Sequence, residues 1–360
     1  MKKEIGMDRR EFLKFLGVGG ALSIPLFRAT TAVGAKWPTQ PIRVVIGYRA
    51  GGGTDTFTRA LVAGMEEPLK ATINVTNMPG SVAAVATDFV WNKPAEGYFW
   101  AGVSNYNKFL RAMKYHATVP WRDWQWYPVA GTYQGWAVRP DSPFKTFQDF
   151  IDAARKKPIT LSHSGIGGIW HEGDAIMAKA AGAKFNYIPY KGGAPATLAL
   201  IKGEVDAVGN GIHEQVEFLK AGKLRNLAVF TDKPLTVGTL TLEPVTKYVP
   251  ELKPYTPFGG DVTMALKRDT PLDILKVAYE AYRKALDNPR FEEILKKKVG
   301  YKILLSPTEI DKVAARKESV TAWTFKELGI AKADPAELGI PRPEEFEGWW
   351  PPKEYKPRLT

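Results

Sequence analysis

The chain has 360 residues, of which 44% are hydrophobic and 24% charged, and its net charge at pH 7 is +12. This balance is typical of a folded protein long enough for two domains and does not indicate a fibrous or disordered chain. The sequence contains no cysteine, which excludes disulfide bonds, thiolate metal sites and iron–sulfur clusters. The surplus of positive charge favours anionic ligands, while no basic run interleaved with aromatic residues indicates a nucleic-acid interface.

The first 35 residues are predicted to be a cleaved export signal. They combine a positively charged start, a short apolar run at 15–27 and the small residues Val33, Gly34 and Ala35. The sequence RREFLK at 9–14 matches the twin-arginine signal. The apolar run is shorter than the roughly 20 residues that span a bilayer. We therefore expect a soluble periplasmic protein, exported by the twin-arginine route and not lipid-anchored.

A buried strand, a glycine loop and a helix are predicted at the start of the mature chain. Residues 42–46 form an apolar run that suits a strand of a parallel sheet. The run leads into glycines at 51–53, and Thr54 and Asp55 then stand where a helix N-cap is expected. Free N–H groups and the helix dipole would form a cradle for an anion there. We expect this cradle to hold a carboxylate.

Two more strands are predicted at 73–76 and 98–103, with a helix between them. Their alternation with helices predicts a mostly parallel sheet with right-handed crossovers. Polar loops at 77–81 and 104–107 follow the two strands. Since ligands of such sheets bind beyond the carboxyl ends of the strands, the loops are expected to form one site.

From Phe147 the alternation begins again and predicts a second α/β unit. Its strands are predicted at 159–163, 185–190, 205–208 and 224–230, and small or polar residues follow the first three at 164–168, 191–193 and 209–211.

Two predicted strands connect the units: residues 129–138 form one long strand leaving the first unit, and residues 262–266 return to it. A proline-rich C-terminal extension is expected to lie over the surface, with a disordered tail as the alternative. The predicted division is 36–138 and 255–330 for the first unit, 139–254 for the second, and 331–360 for the extension.

Five short motifs occur together in one order along the chain. They are PIR at 41–43, GGGTD at 51–55, PAEGY at 94–98, PYKGGAPA at 189–196 and KAGKLR at 220–225. In this order and spacing they resemble the solute-binding proteins of tripartite tricarboxylate transporters, the Bug or TctC-like family. The similarity runs, with gaps, from about residue 37 to residue 328.

The resemblance implies a type II periplasmic binding protein, a Venus flytrap whose two lobes are each a mostly parallel sheet flanked by helices. Such a protein closes on a small carboxylate, here between the glycine loop and the second-lobe loop at 164–171. A carboxylate offers only acceptors, so it needs N–H and O–H donors. The predicted ligand contacts are Tyr48, Gly52, Gly53, Thr54, Asp55, Asn105, Ser164, Gly165, Gly168, Trp170, His171, Tyr190 and Asn210.

The resemblance also implies membrane transporter subunits as partners, no cofactor and no catalytic residue. A monomer suits a protein that must pass its ligand to a transporter. Asp55 is expected to cap its helix more than to touch the ligand, since its charge would repel an anion.

Several positions depart from the family pattern. Trp170 stands where a small residue is usual, Asn210 replaces an aspartate, His213 replaces a proline, and Arg49 lies in the glycine loop. These changes indicate a reshaped pocket. The hypothesis is that an aromatic or bulky monocarboxylate stacks near Trp170 and Tyr48.

Other functions stay open at this point. The pairs His171-Glu172 and His213-Glu214 match no metal-binding spacing, so no metal is predicted. An exported cofactor-binding α/β enzyme is an alternative, although the chain has no GxSxG elbow and its second strand lacks the acidic end typical of dinucleotide sites. A ligand-binding partner of a periplasmic sensor would differ only in its membrane partner.

Overall fold

Two five-stranded sheets, each flanked by helices, dominate the described part of the chain, which is residues 37–359 of a computed structural model. The predicted export signal lies outside the described residues. Within residues 37–359, no helix combines the length and the apolar character that crossing a membrane requires.

The strands are β1 Ile42–Ile46, β2 Ile73–Asn77, β3 Phe99–Ser104, β4 Trp124–Gly131, β5 Gln134–Val138, β6 Ile159–His163, β7 Phe185–Pro189, β8 Ala207–Gly211, β9 Arg225–Val229, β10 Leu235–Val237, β11 Leu240–Leu242 and β12 Asp261–Lys267. The helices are α1 Gly53–Leu69, α2 Ala84–Trp91, α3 Pro120–Asp123, α4 Phe147–Lys156, α5 Ile169–Ala181, α6 Gly193–Ile201, α7 Ile212–Lys220, α8 Leu272–Leu286, α9 Pro289–Lys298, α10 Pro307–Glu327 and α11 Phe346–Trp349.

Each sheet combines parallel strands with one strand that arrives from the other sheet's part of the chain. The first sheet has the order β2-β1-β3-β12-β4, and β12 runs antiparallel to both of its neighbours. The second has the order β7-β6-β8-β5-β9, and β5 is antiparallel to both of its neighbours. We call the regions around these sheets the first and second lobes. The predicted two-lobed α/β fold is confirmed.

One predicted strand is wrong. Residues 129–138 are not a single strand, because β4 belongs to the first sheet and β5 to the second. The chain passes from the first lobe to the second at Thr132 and Tyr133. A domain boundary after Val138 therefore leaves β5, a strand of the second sheet, in the first unit. Both strands are fully buried, and hydrophobic periodicity therefore does not reveal the break between them. The predicted returning strand is confirmed as β12.

The two linkers between the lobes run side by side and hydrogen-bond to each other. Thr132 donates its N–H to the Gly260 carbonyl at 2.9 Å, and its hydroxyl donates to the same oxygen at 2.7 Å. Gln134 donates its N–H to the Phe258 carbonyl at 3.1 Å. A Cβ on Gly259 would lie 1.7 Å from the Thr132 carbonyl oxygen. Only glycine fits where the linkers approach so closely.

The C-terminal extension packs on the first lobe. The N–H of Lys332 donates to the Ala112 carbonyl at 2.8 Å, and Phe346 is fully buried in a cluster with Trp121. Arg268 forms a buried ion pair with Asp311 at 2.8 Å, and this carboxylate also accepts from the hydroxyl of Tyr355 in the extension. Aromatic packing and buried charge thus anchor the segment.

Gly259→Ala is expected to lower the free energy of unfolding by about 1–3 kcal/mol, because the new methyl group overlaps the Thr132 carbonyl and forces the linkers apart. Chemical denaturation of the purified variant would measure this. Gly348→Ala is the matched control, since a Cβ there meets no atom within 4 Å, and it should change stability by less than about 0.5 kcal/mol. Equal stability of the two variants would contradict the close approach of the linkers.

Candidate ligand-binding site between the lobes

Loops from the carboxyl ends of strands in both lobes meet at one cavity of about 40 Å³, which we call the hinge cavity. It is bordered by the loops after β1, β3, β6, β7 and β8 and by both linkers, which contribute Thr132 and Gly260. A second cavity of about 240 Å³, the loop cavity, shares Tyr48 and Ser164 with it. The hinge cavity and the loop cavity together form a cleft at the carboxyl ends of the strands, which is where parallel sheets bind ligands.

Helix α1 begins two to three residues earlier than predicted. Its first residue is Gly53 and its N-cap is Gly52, so Thr54 and Asp55 lie inside the first turn and neither is the cap. Gly52, Gly53 and Thr54 line the hinge cavity. The N-terminus of α1, where the sequence predicts the cradle, therefore lies at the cleft with the positive end of the helix dipole.

Asp55 points away from both cavities and holds the glycine loop together. Its carboxylate accepts from the Gly51 N–H at 3.0 Å, from Arg59 Nε at 2.7 Å and from Asn77 Nδ2 at 2.9 Å. With these donors its oxygens are already engaged, which fixes the loop that carries the cradle.

Tyr48 and Ser104 place two linked hydroxyl groups at the hinge cavity. Their oxygens are 2.7 Å apart. Burial raises the pKa of Tyr48 to about 12, so its hydroxyl keeps its proton at neutral pH. The next residue, Asn105, is fully buried outside the cavity walls, and its Oδ1 accepts from the Asp261 N–H at 3.2 Å. The sequence predicts Asn105 as the contact from this loop, but it is Ser104 that lines the cavity.

In the second lobe, α5 begins at Ile169 with Gly168 as its N-cap. Ser164, Ile169 and Trp170 line the hinge cavity. The ring of Trp170 lies against the returning linker, since a Cβ on Gly260 would be 3.1 Å from it. A bulky side chain from the second lobe thus forms a wall beside the hinge.

His171 turns into the protein instead of the cleft. Its Nδ1 accepts from the Gly167 N–H at 3.1 Å, and its ring stacks on His163 at 4.8 Å. Burial lowers the pKa of His171 to about 4 and that of His163 to about 3, so both imidazoles are neutral. The pair shapes the loop as neutral hydrogen-bonding groups. Among residues 37–359, no cluster of three or more His, Asp or Glu side chains could hold a metal ion.

Asn210 also supports the site from behind. Its amide donates to the Gly193 carbonyl at 3.0 Å and to the Thr197 hydroxyl at 2.7 Å, which ties β8 to α6. The predicted contacts that line one of the cavities are Tyr48, Gly52, Gly53, Thr54, Ser164, Gly165, Trp170 and Tyr190. Those that line neither are Asp55, Asn105, Gly168, His171 and Asn210.

Two lining residues missed as contacts, His213 and Glu214, come from the first turn of α7. A Cβ on Gly53 would lie 2.0 Å from His213 Nε2, so this second-lobe ring packs against the start of α1. Burial lowers the pKa of His213 to about 3, which keeps the ring neutral. The signal in the sequence is the departure from the family's proline at this position, which indicates a reshaped pocket but does not identify His213 as a contact.

A buried ion pair joins the lobes on another side of the cleft. Lys108, which follows β3, lies 2.8 Å from Glu172 of α5. Thr321 of α10 donates its hydroxyl to the same carboxylate at 2.7 Å. Both charged side chains are at least 94% buried. The two lobes are therefore in contact through an ion pair that is shielded from water.

The chain is similar to known proteins in both sequence and fold. The family described as "Tripartite tricarboxylate transporter family receptor" matches residues 57–317. A Cupriavidus necator protein, "UPF0065 protein in gbd 5'region", is 28% identical over 337 residues, which are 91% of this chain and 100% of that protein.

Two solved structures share the fold. One is an R. palustris protein with adipate, at 22% identity and a TM-score of 0.75, covering 82% of this chain and 99% of that one. The other is MatC from Rhodopseudomonas palustris with bound malate, at 19% identity and a TM-score of 0.73, covering 80% and 99%. The chain therefore belongs to the TctC family of tripartite tricarboxylate transporter receptors.

Proposed function

We propose that this chain is a periplasmic solute-binding protein that captures a small carboxylate between its lobes and delivers it to the membrane subunits of a tripartite transporter. The observation that carries the proposal is the meeting of strand-end loops from both lobes at one cleft. The cleft presents donors to an acceptor-only ligand. Its role is binding without turnover, and the protein acts as a monomer after export by its twin-arginine signal.

The carboxylate would be held by donors from both lobes. In the first lobe these are the N–H groups at the start of α1 and the hydroxyls of Tyr48 and Ser104. In the second lobe it is the hydroxyl of Ser164. Hydrogen bonds to a charged group contribute roughly 1.5–3 kcal/mol each, so a few of them fix the orientation of a small ligand.

The relative sizes of the cavities favour a ligand with a compact polar end and a larger body. A cavity needs a volume of about 10–15 Å³ to hold one water molecule, so the hinge cavity of about 40 Å³ has room for a carboxylate-sized group. The loop cavity, at about 240 Å³, has room for an aromatic or bulky body beside Tyr48. The side chain of Trp170 is buried, so it narrows the hinge cavity and does not offer a broad surface for stacking.

The direct test is thermal unfolding of the mature protein with mono-, di- and tricarboxylates, aromatic and aliphatic, and with nicotinamide dinucleotides and zinc as contrasts. A native-state ligand at 100 times its Kd adds about 2.7 kcal/mol to the unfolding free energy, a readily measured rise in Tm. We expect one class of carboxylate to give a selective rise. A rise with only the dinucleotide or zinc would refute a carboxylate receptor.

Glu172→Gln is expected to weaken carboxylate binding by tenfold or more, because closing the lobes would then bury Lys108 without its counter-charge. Isothermal titration would measure Kd, and small-angle scattering would report the separation of the lobes. Glu327→Gln is the matched control, since it removes an exposed interlobe pair with Lys179 at 3.7 Å and should change Kd by less than about threefold. Unchanged affinity in both variants would show that closure does not depend on this pair.

A further inference from the structure

The carboxyl group of Glu214 lies where the N-termini of three helices meet. It belongs to the first turn of α7, whose N-cap is Gly211. A Cβ on Gly193, the first residue of α6, would lie 1.8 Å from its Oε2. A Cβ on Gly52, the N-cap of α1 in the other lobe, would lie 3.6 Å from its Oε1. The chain thus places its own carboxyl at the anion cradle.

This carboxyl still has an unused acceptor. The side chain of Glu214 is only 4% exposed and lines the hinge cavity, and its Oε2 has no hydrogen-bond partner among the described residues. Burial raises the pKa of Glu214 to about 7, while hydrogen bonds from the backbone of Gly211 and Gly53 act in the opposite direction. A buried acceptor without a partner costs free energy until a donor reaches it.

No positive side chain lines the hinge cavity in the described part of the chain. The neighbouring His213 ring is neutral, and its Nε2 is 3.7 Å from Glu214 Oε1. Other charged groups on the packed elements are already paired or lie beside the glycine loops. They are Glu217 with Lys298, Asp261 with Lys317, and Arg49 and Lys191 next to the loops.

We propose that Glu214 selects ligands that carry a hydrogen-bond donor in addition to their carboxylate, an ammonium group above all, and rejects ligands with a second carboxylate. This inference rests on the proposed function and narrows its ligand class. An ammonium offers donors and an opposite charge to Glu214, whereas a second carboxylate offers only acceptors and a like charge. The relatives solved with adipate and malate hold dicarboxylates, so this selection would set the chain apart.

Glu214 and the carboxylate donors line the same hinge cavity, so the test compares ligands of matched size in which the second polar group lies beside the carboxylate. Titrations would use alanine against methylmalonate, leucine against isobutylmalonate, and phenylalanine against benzylmalonate, with phenyllactate and 3-phenylpropionate as intermediate cases. The protein should bind the amino member of at least one pair tenfold or more tightly than its dicarboxylate. Tighter binding of the dicarboxylate in each pair that binds would overturn the inference.

Glu214→Gln keeps the size of the side chain and removes its charge. We expect this variant to lose at least tenfold in affinity for the amino ligand and to gain affinity for the dicarboxylate. Glu217→Gln, on the same helix and paired outside the cavity with Lys298 at 3.6 Å, is the matched control and should leave both affinities within twofold. An equal change for both ligands in Glu214→Gln would contradict selection by this residue while leaving carboxylate binding intact.

A pH series on the unaltered protein gives a second test that does not depend on how a variant folds. Ionised Glu214 favours the ammonium ligand, so the affinity of the protein for that ligand should rise as the pH increases through about 7. Protonated Glu214 favours the dicarboxylate, whose affinity should fall over the same range. Parallel pH profiles would refute the inference, whereas absence of binding by any carboxylate would refute the proposed function itself.

Discussion

The structure depends on the way the chain crosses twice between its sheets. Strands β5 and β12 each complete the sheet of the lobe they enter, and the linkers beside them are joined through Thr132 and Gly260. Because both crossings lie side by side, strand-end loops of the two lobes meet at one cleft. The approach at Gly259 is close enough that the linkers act as one connection between lobes.

The same arrangement concentrates helix N-termini in a small space. Glycines at the starts of α1 and α6 allow two side chains of α7 to approach the helix backbone. His213 lies against the start of α1, and Glu214 lies against the start of α6. The dipoles favour negative charge there, but burial disfavours the ionised form of Glu214. These opposing effects leave a carboxyl whose pKa is about 7.

Much of this could be predicted from local sequence. The strand, glycine loop and helix around Gly53 follow from an apolar run and a run of glycines, and the alternation of elements gives the sheet class. Local patterns do not show which way a side chain turns at a loop, so the sequence predicts Asn105 and His171 as contacts although both face the interior. The role of Glu214 depends on glycines distant in sequence, which only tertiary packing brings beside it.

A crystal structure of the mature protein with the carboxylate that raises its Tm most would test the account most directly. The account predicts carboxylate oxygens within hydrogen-bonding distance of the Thr54 N–H and the Tyr48 hydroxyl, with Ser164 of the second lobe contacting the same ligand. A ligand bound outside this cleft, or one that contacts a single lobe, would contradict it.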